Sequence, residues 1–160
     1  MMQTLATYKE MRGGAVDLNA TISELQKVVR SVFGERFQLH TKLEPLLGRI
    51  QADAKTIDRL LVSLVINAQE PTAPRVELTV STSNVDLEPS AARELRLPAL
   101  EYVQLEVMIG HSRFGELSTV REIVRQLDGA VSMRTCPQQG SVLSILLPRS
   151  QGKLAADSFD

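Results

Sequence analysis

Hydrophobic positions recur at helical spacing in three segments of the chain. The first segment runs from Asp17 to Phe33, Asp53 is expected to cap the second, and the third ends before Gly129, a residue that suits the left-handed turn after a helix. The apolar stripes consist of Leu18, Ile22, Leu25, Val28, Val29 and Val32, then Ile57, Leu60, Leu61, Leu64, Val65 and Ala68, and finally Leu117, Val120, Ile123, Val124 and Leu127. The pattern therefore predicts three amphipathic helices, each with one buried face.

Between and after these segments, hydrophobic and polar residues alternate, which predicts strands. FQLHTKL begins at Phe37, VELTVSTSNVDL at Val76 and YVQLEVMIG at Tyr102, while AVSMRT and SVLSILLP flank the turn CPQQG as a hairpin. We interpret EPSAARELRLPALE, between the second and third strands, as a surface excursion. The element order favours a two-layer α/β sandwich in which helices cover one face of a mixed sheet.

Composition and charge limit the size and the partners of this fold. A chain of 160 residues with 43% hydrophobic content suits one domain, which we assign to residues 16–149, with an N-terminal stub at 1–15 and a flexible tail at 150–160. Because 18 Lys and Arg residues balance 19 Asp and Glu residues, we expect neither nucleic acid nor direct membrane contact. The lone Cys136 and the absence of a long apolar run indicate a cytoplasmic location.

Several local strings resemble the ATP-binding domain of the histidine kinases and their relatives gyrase, the Hsp90 chaperones and MutL. The strings are VDLN at the first helix, QAD before the second, LVINA at its end, LEV before the nucleotide turn of the family, LSTVREIVRQLDGAV in the third helix, and GSVLSILLP in the last strand. Together they extend from about Val16 to Arg149. The resemblance implies the Bergerat-type ATP-binding fold of that superfamily.

The resemblance also implies roles for two residues of the second helix. Asn67 takes the place of the Asn that helps to hold magnesium and the phosphates, although a helix-end amide that is exposed or bonded to backbone is an equally good interpretation. One helical turn earlier, the ATPases of the group carry a Glu that acts as general base and the kinases usually carry an Asn, whereas this chain has Ser63. A Ser hydroxyl cannot take a proton from water near neutral pH without an activating base.

The expected adenine-binding turn, Asp-x-Gly in the family, is also altered. Ile109 falls where the Asp belongs, and Gly110 keeps part of the turn. A register shift does not restore the motif, because no Asp lies between Asp86 and Asp128. An alkyl group that replaces a buried acceptor costs about 1–3 kcal/mol. We expect weakened adenine recognition and an Ile109 side chain absorbed into the core.

The phosphate-covering lid that the resemblance implies is missing as well. Only HSRFGE separates the strand from the third helix, and Glu116 stands at a glycine position of the family's helix start. A carboxylate near a triphosphate is repulsive unless a metal intervenes. His40 and His111 lack the context of a phospho-acceptor, and LATYKEMRGG would be the stub of the helical hairpin that kinases phosphorylate.

These losses lead to one expected function and two alternatives. The first is a pseudo-ATPase that needs no cofactor and serves bacterial two-component or phosphorelay signalling as an interaction module for a response regulator, a kinase or a second copy. Its docking surface is expected at Arg113 and Phe114, with Asn67 and Gly110 as vestigial nucleotide ligands. The alternatives are a divergent kinase domain that still binds ATP and magnesium, or the ATPase-like part of a histidine phosphotransferase.

Overall fold

The computed structural model describes residues 15–68, 75–110, 114–136 and 140–150. Its helices are α1 (Leu18–Phe33), α2 (Ala54–Ala68), α3 (Pro89–Glu94) and α4 (Ser118–Gln126). Its strands are β1 (Ala15–Val16), β2 (Phe37–Lys42), β3 (Ile50–Gln51), β4 (Val76–Asp86), β5 (Glu101–Ile109), β6 (Ala130–Cys136) and β7 (Gly140–Pro148). All the predicted elements are confirmed, and the short β1, β3 and α3 are additional.

The main sheet is mixed, as the element order predicts. Its strand order is β2-β4-β5-β7-β6, and β2 pairs in parallel with β4 while the other neighbours are antiparallel. The short strands β1 and β3 form a separate antiparallel pair. No described helix is long and apolar enough to cross a bilayer. The assigned domain boundaries remain a prediction, because residues 1–14 and 151–160 lie outside the described ranges.

Helices α1, α2 and α4 cover one face of this sheet and enclose the main core. The predicted inward face of α2 is buried throughout, and Val103, Leu105 and Val107 of β5 face the same core. Asp53 caps α2 by accepting hydrogen bonds from the Lys55 backbone N–H and the Thr56 hydroxyl. The two-layer α/β sandwich is therefore confirmed.

The apolar stripe that the sequence predicts on α1 is wider than the face of the helix that is buried. The prediction that the whole stripe is buried is therefore wrong. Leu18, Ile22 and Val29 are buried, whereas Val28 and Val32 are exposed. Val28 and Val32 lie on the side of the helix that turns away from the sheet, where the core does not reach them. Hydrophobic spacing alone does not distinguish a core-facing residue from an apolar residue on the exposed flank.

The segment between β4 and β5 is more than a surface excursion, which corrects the sequence interpretation. It contains α3 and then folds Leu97 and Ala99 onto Tyr102, on the sheet face opposite the main core. The Tyr102 hydroxyl accepts a hydrogen bond of 3.0 Å from the Ala99 N–H, and burial raises the pKa of Tyr102. This small second core shields one end of the outer face of the sheet.

The turn after α4 shows that Gly129 has a different role from the one predicted from the sequence. The left-handed residue is Asp128, with φ of 61°, and not Gly129. Gly129 is required by space, because a Cβ there would lie 2.1 Å from the Leu146 carbonyl oxygen. The glycine therefore permits close packing of the turn on β7.

Candidate nucleotide site

The ends of two helices and one strand lie in the region where the resemblance puts the nucleotide. Helix α2 ends at Ala68, β5 ends at Ile109, and α4 begins at Ser118. The Gly115 N–H donates a 3.0 Å hydrogen bond to the Asn67 carbonyl, so the short link before α4 contacts the C-terminal turn of α2. The predicted site residues Asn67 and Ile109 therefore lie at the same end of the fold, which we call the Ile109 end.

The Asn67 side chain is bonded to its own helix. Its Nδ2 donates a 2.7 Å hydrogen bond to the Ser63 carbonyl, one turn earlier. Its Oδ1 faces Gly115, where an added Cβ would lie 3.4 Å away. The backbone-bonded amide, one of the two sequence interpretations, describes the Nδ2 group, while Oδ1 is the atom of Asn67 that would approach a metal ion.

Ile109 is part of the core, as expected. Its side chain is 0% exposed and belongs to the main hydrophobic cluster, and its backbone pairs with Leu78 on one side and Ser141 on the other. An alkyl group offers no acceptor to an adenine amino group. This residue therefore does not fit the base-recognition role that the resemblance gives to its position.

Gly110 leaves open space for a ligand, but its backbone N–H is already hydrogen-bonded. It is half-buried, its N–H donates to the Glu77 carbonyl at 3.3 Å, and a Cβ added to it would meet no atom within 4 Å. Its amide, which a ligand would otherwise use, is thus bonded to Glu77, the second residue of β4. Gly110 contributes an open backbone position without a free donor.

Phe114 corrects the predicted docking surface. The side chain is 9% exposed and packs in the main core rather than standing free beside an open site. The prediction that Phe114 is an exposed aromatic is therefore wrong. Arg113 and His111 lie outside the described residues.

The Glu116 side chain accepts a hydrogen bond from the first backbone N–H of α4. Its two carboxylate oxygens accept hydrogen bonds from the Ser118 backbone N–H at 2.5 Å and from the Ser118 hydroxyl at 2.9 Å. These two bonds hold the pKa of Glu116 below its ordinary value. The carboxylate thus supplies the negative charge that a helix N-terminus attracts, at the place where the resemblance puts phosphate.

Sequence reasoning recognised Glu116 as a repelling charge but missed its bonds to α4. The signal was an acid two residues before Ser118, at the start of a helical apolar period. Among the described residues, no group of three or more His, Cys, Asp and Glu side chains is arranged to hold a metal ion. In this region a carboxylate is bonded to the start of α4 and apolar side chains fill the core. Among the described site residues, Asn67 Oδ1 remains the candidate ligand for a metal ion.

No family model matches the sequence, and no curated protein matches it. Solved structures do match in fold. The mycobacterial sensor histidine kinase MprB is 17% identical with a TM-score of 0.63, and the match covers 89% of this chain and 99% of that one. The catalytic domain of histidine kinase ThkA is 17% identical with a TM-score of 0.62, over 84% and 95% of the two chains.

A third match is the ATP-binding domain of PrrB from Mycobacterium tuberculosis, which is 17% identical with a TM-score of 0.56. It covers 85% of this chain and 98% of that domain. Matches over nearly the full length of such domains agree with the mixed sheet and the three covering helices described above. The chain therefore has the fold of the catalytic, ATP-binding domains of histidine kinases.

Proposed function

We propose that this chain is a pseudo-ATPase: a histidine-kinase-like ATP-binding domain that neither hydrolyses ATP nor phosphorylates protein. It acts in the cytoplasm as a protein-interaction module of two-component signalling, and its partners are a response regulator, a kinase or a second copy. It needs no cofactor for this role. Function is argued from the site and not from the fold, because one fold hosts many activities.

The observation that carries the proposal is the burial of Ile109. Adenine recognition in this fold depends on a carboxylate at that position, and here a fully buried alkyl group packs in the main core. A ligand amino group that loses its acceptor loses about 1–3 kcal/mol, or roughly 5- to 200-fold in affinity. The burial of Ile109 therefore supports a loss of base recognition at that position.

Two further features support the loss of phosphate chemistry. The Glu116 carboxylate is bonded to the Ser118 amide and hydroxyl, so an incoming phosphate would have to displace an anion. Ser63 at the general-base position has an ordinary hydroxyl, which does not activate water near neutral pH. These two features act at different steps, binding and hydrolysis, and each is independent of Ile109.

Calorimetric titration of the full chain with ATP, with and without magnesium, tests the proposal. We expect no saturable heat and no release of phosphate. A magnesium-dependent binding isotherm or phosphate release by the parent chain would contradict the proposal.

One observation favours weak nucleotide binding as the second candidate. Asn67 Oδ1 is directed towards Gly115, a residue without a side chain that would cover it. If magnesium and nucleotide bind there, the substitution Asn67→Ala should abolish the heat, while Ile66→Ala on the preceding position should leave it unchanged. If both variants and the parent chain give no heat, the second candidate is wrong.

A further inference from the structure

Strand β2 lies at one edge of the main sheet. Among the described strands it pairs only with β4, in a parallel register that runs from Phe37 beside Val76 to Lys42 beside Ser81. The opposite side of β2 carries backbone groups that no described strand uses. An edge strand offers its unpaired N–H and C=O groups to any extended chain, and proteins commonly cover such edges for this reason.

One hydrogen bond shows which backbone groups of β2 face the free side. Gln26 of α1 donates from Nε2 to the Leu39 carbonyl at 2.7 Å. This carbonyl therefore points away from β4. The N–H and C=O of one strand residue point to the same side, and those of the next residue point to the opposite side. Phe37 and Thr41, each two positions from Leu39, therefore direct their backbone groups to the free side as well.

An open groove lies beside these backbone groups. Its volume is about 610 Å³, and it is lined by Gln26, Val29 and Arg30 of α1 on one side and by residues 37–41 of β2 on the other. A strand that pairs with β2 would lie about 4.8 Å from it. The groove provides space for such a strand, but the Gln26 amide already occupies the place of the N–H that would bond Leu39.

We propose that Gln26 closes the free edge of β2 against strand addition, as an autoinhibitory contact. A side-chain amide and a peptide N–H are equivalent donors, so Gln26 satisfies the Leu39 carbonyl as a neighbouring strand would. An incoming strand has to displace this bond first. In the purified chain, the strand available for addition is β2 of a second copy. Two antiparallel copies would meet about a twofold axis, and both would have to release Gln26.

Helix α1 does not depend on this bond for its position on the sheet. Leu18, Ile22 and Val29 hold the helix through the main core. Removal of the Gln26 amide should therefore open the edge without detaching α1. The inference goes beyond the function proposed above, because it depends neither on nucleotide binding nor on the identity of a signalling partner.

Sedimentation equilibrium of the full chain, over a range of concentrations, tests the closing role. Gln26→Leu keeps the size of the side chain but removes the donor. The net worth of one hydrogen bond is about 2- to 13-fold, and two bonds no longer have to be displaced, so we expect this variant to dimerise about 5- to 150-fold more tightly than the parent. Lys27→Leu is the matched control, because it adds the same side chain at the next, 76% exposed position and should behave like the parent.

A second variant separates the lost bond from the added apolar group. Gln26→Asn keeps an amide that is one methylene too short to reach the Leu39 carbonyl, and it should also dimerise more tightly than the parent. It carries the test if Gln26→Leu does not fold. Gln26 would be only a packing contact, and the proposal wrong, if these variants melt at a lower temperature but associate no more than the parent.

Thr41→Pro tests whether the association uses the edge of β2. Proline removes an N–H from the free side and is tolerated there, because the ladder with β4 does not use that group. Adding Thr41→Pro to Gln26→Leu should return the association to the parent level. In Gln26→Leu alone, the Leu39 and Thr41 amides should exchange more slowly with solvent as concentration rises. Equal association of Lys27→Leu and Gln26→Leu, or no effect of Thr41→Pro, would overturn the proposal.

Discussion

The two ends of the sheet differ in how their chain connections are held. At the Ile109 end, the side chains of Ile109 and Phe114 lie in the main core. At the opposite end, which we call the polar end, the Thr82 hydroxyl donates to Asn19 Oδ1 at 2.9 Å and accepts from the Glu44 N–H at 3.0 Å. Buried apolar side chains lie at the Ile109 end beside local hydrogen bonds such as that from the Gly115 N–H to the Asn67 carbonyl, whereas side-chain hydrogen bonds between separate elements connect the polar end.

The loop at the polar end is fixed by further side-chain hydrogen bonds. Asn19 Nδ2 donates to the Glu44 carbonyl, and the Asn84 side chain bonds Gly48 N–H and the Leu46 carbonyl. The contrast indicates that Ile109 and Phe114 contribute apolar packing at the Ile109 end, whereas side-chain hydrogen bonds fix the loop at the polar end.

The largest expected effect is that of Ile109→Asp, which tests whether the Ile109 end is truly core. A carboxylate at a fully buried apolar position is left without a partner, and we expect a loss of more than about 4 kcal/mol in the free energy of unfolding. We also expect no gain of nucleotide binding. Thermal melting with and without ATP and magnesium measures both effects.

Met108→Asp is the matched control, because Met108 is the neighbouring residue of β5 and points to the exposed outer face. It should melt close to the parent chain. If Ile109→Asp instead melts like the parent and its melting temperature rises with ATP, the Ile109 end is an open ligand site. The contrast between the two ends would then be wrong.

A smaller effect is expected at the polar end from Thr82→Val. Valine keeps the shape but removes the hydroxyl, so Asn19 Oδ1 and the Glu44 N–H lose their shared partner. We expect a loss of about 1–3 kcal/mol in chemical denaturation. Thr82→Ser keeps the hydroxyl and should lose less than Thr82→Val. If valine is as stable as the parent chain, hydrogen bonding does not hold this end.

The smallest effect is expected from Glu116→Gln, at the start of α4. Because the pKa of Glu116 is lowered in the folded chain, its contribution to stability is present above the ordinary carboxyl pKa and is lost as pH falls below it. The difference in melting temperature between parent and Glu116→Gln should therefore shrink from pH 7 towards pH 3. Glu122→Gln, within α4, serves as the control. A difference that is constant with pH would contradict the capping role.

The long periodic segments and the strand alternation were sufficient to predict the architecture. The buried face of α2 and the inward residues of β5 are as the pattern indicated, because both elements pack against one core over their whole length. What the pattern missed is local. Val28 and Val32 share the apolar period of α1 but lie beyond the reach of the sheet, and Asp128 takes the left-handed turn that composition assigned to Gly129.

The candidate site was predictable in position but not in contacts. The motif positions indicated that Ile109 would join the core, and it does. The burial of Phe114 was not predictable, because the path of a short link depends on the ends that it joins. The bonds from Ser118 to Glu116 depend on side-chain rotamers at the start of α4, which a sequence pattern does not specify.

The direct link between β5 and α4 has a consequence for loop-closure entropy. Only residues 110–117 join the two elements. Each doubling of a flexible loop costs about 0.6 kcal/mol, so two doublings, to about thirty residues, would cost only about 1.2 kcal/mol. The scaffold would therefore tolerate a grafted lid of kinase length, and the short link cannot be explained by a need to conserve chain entropy.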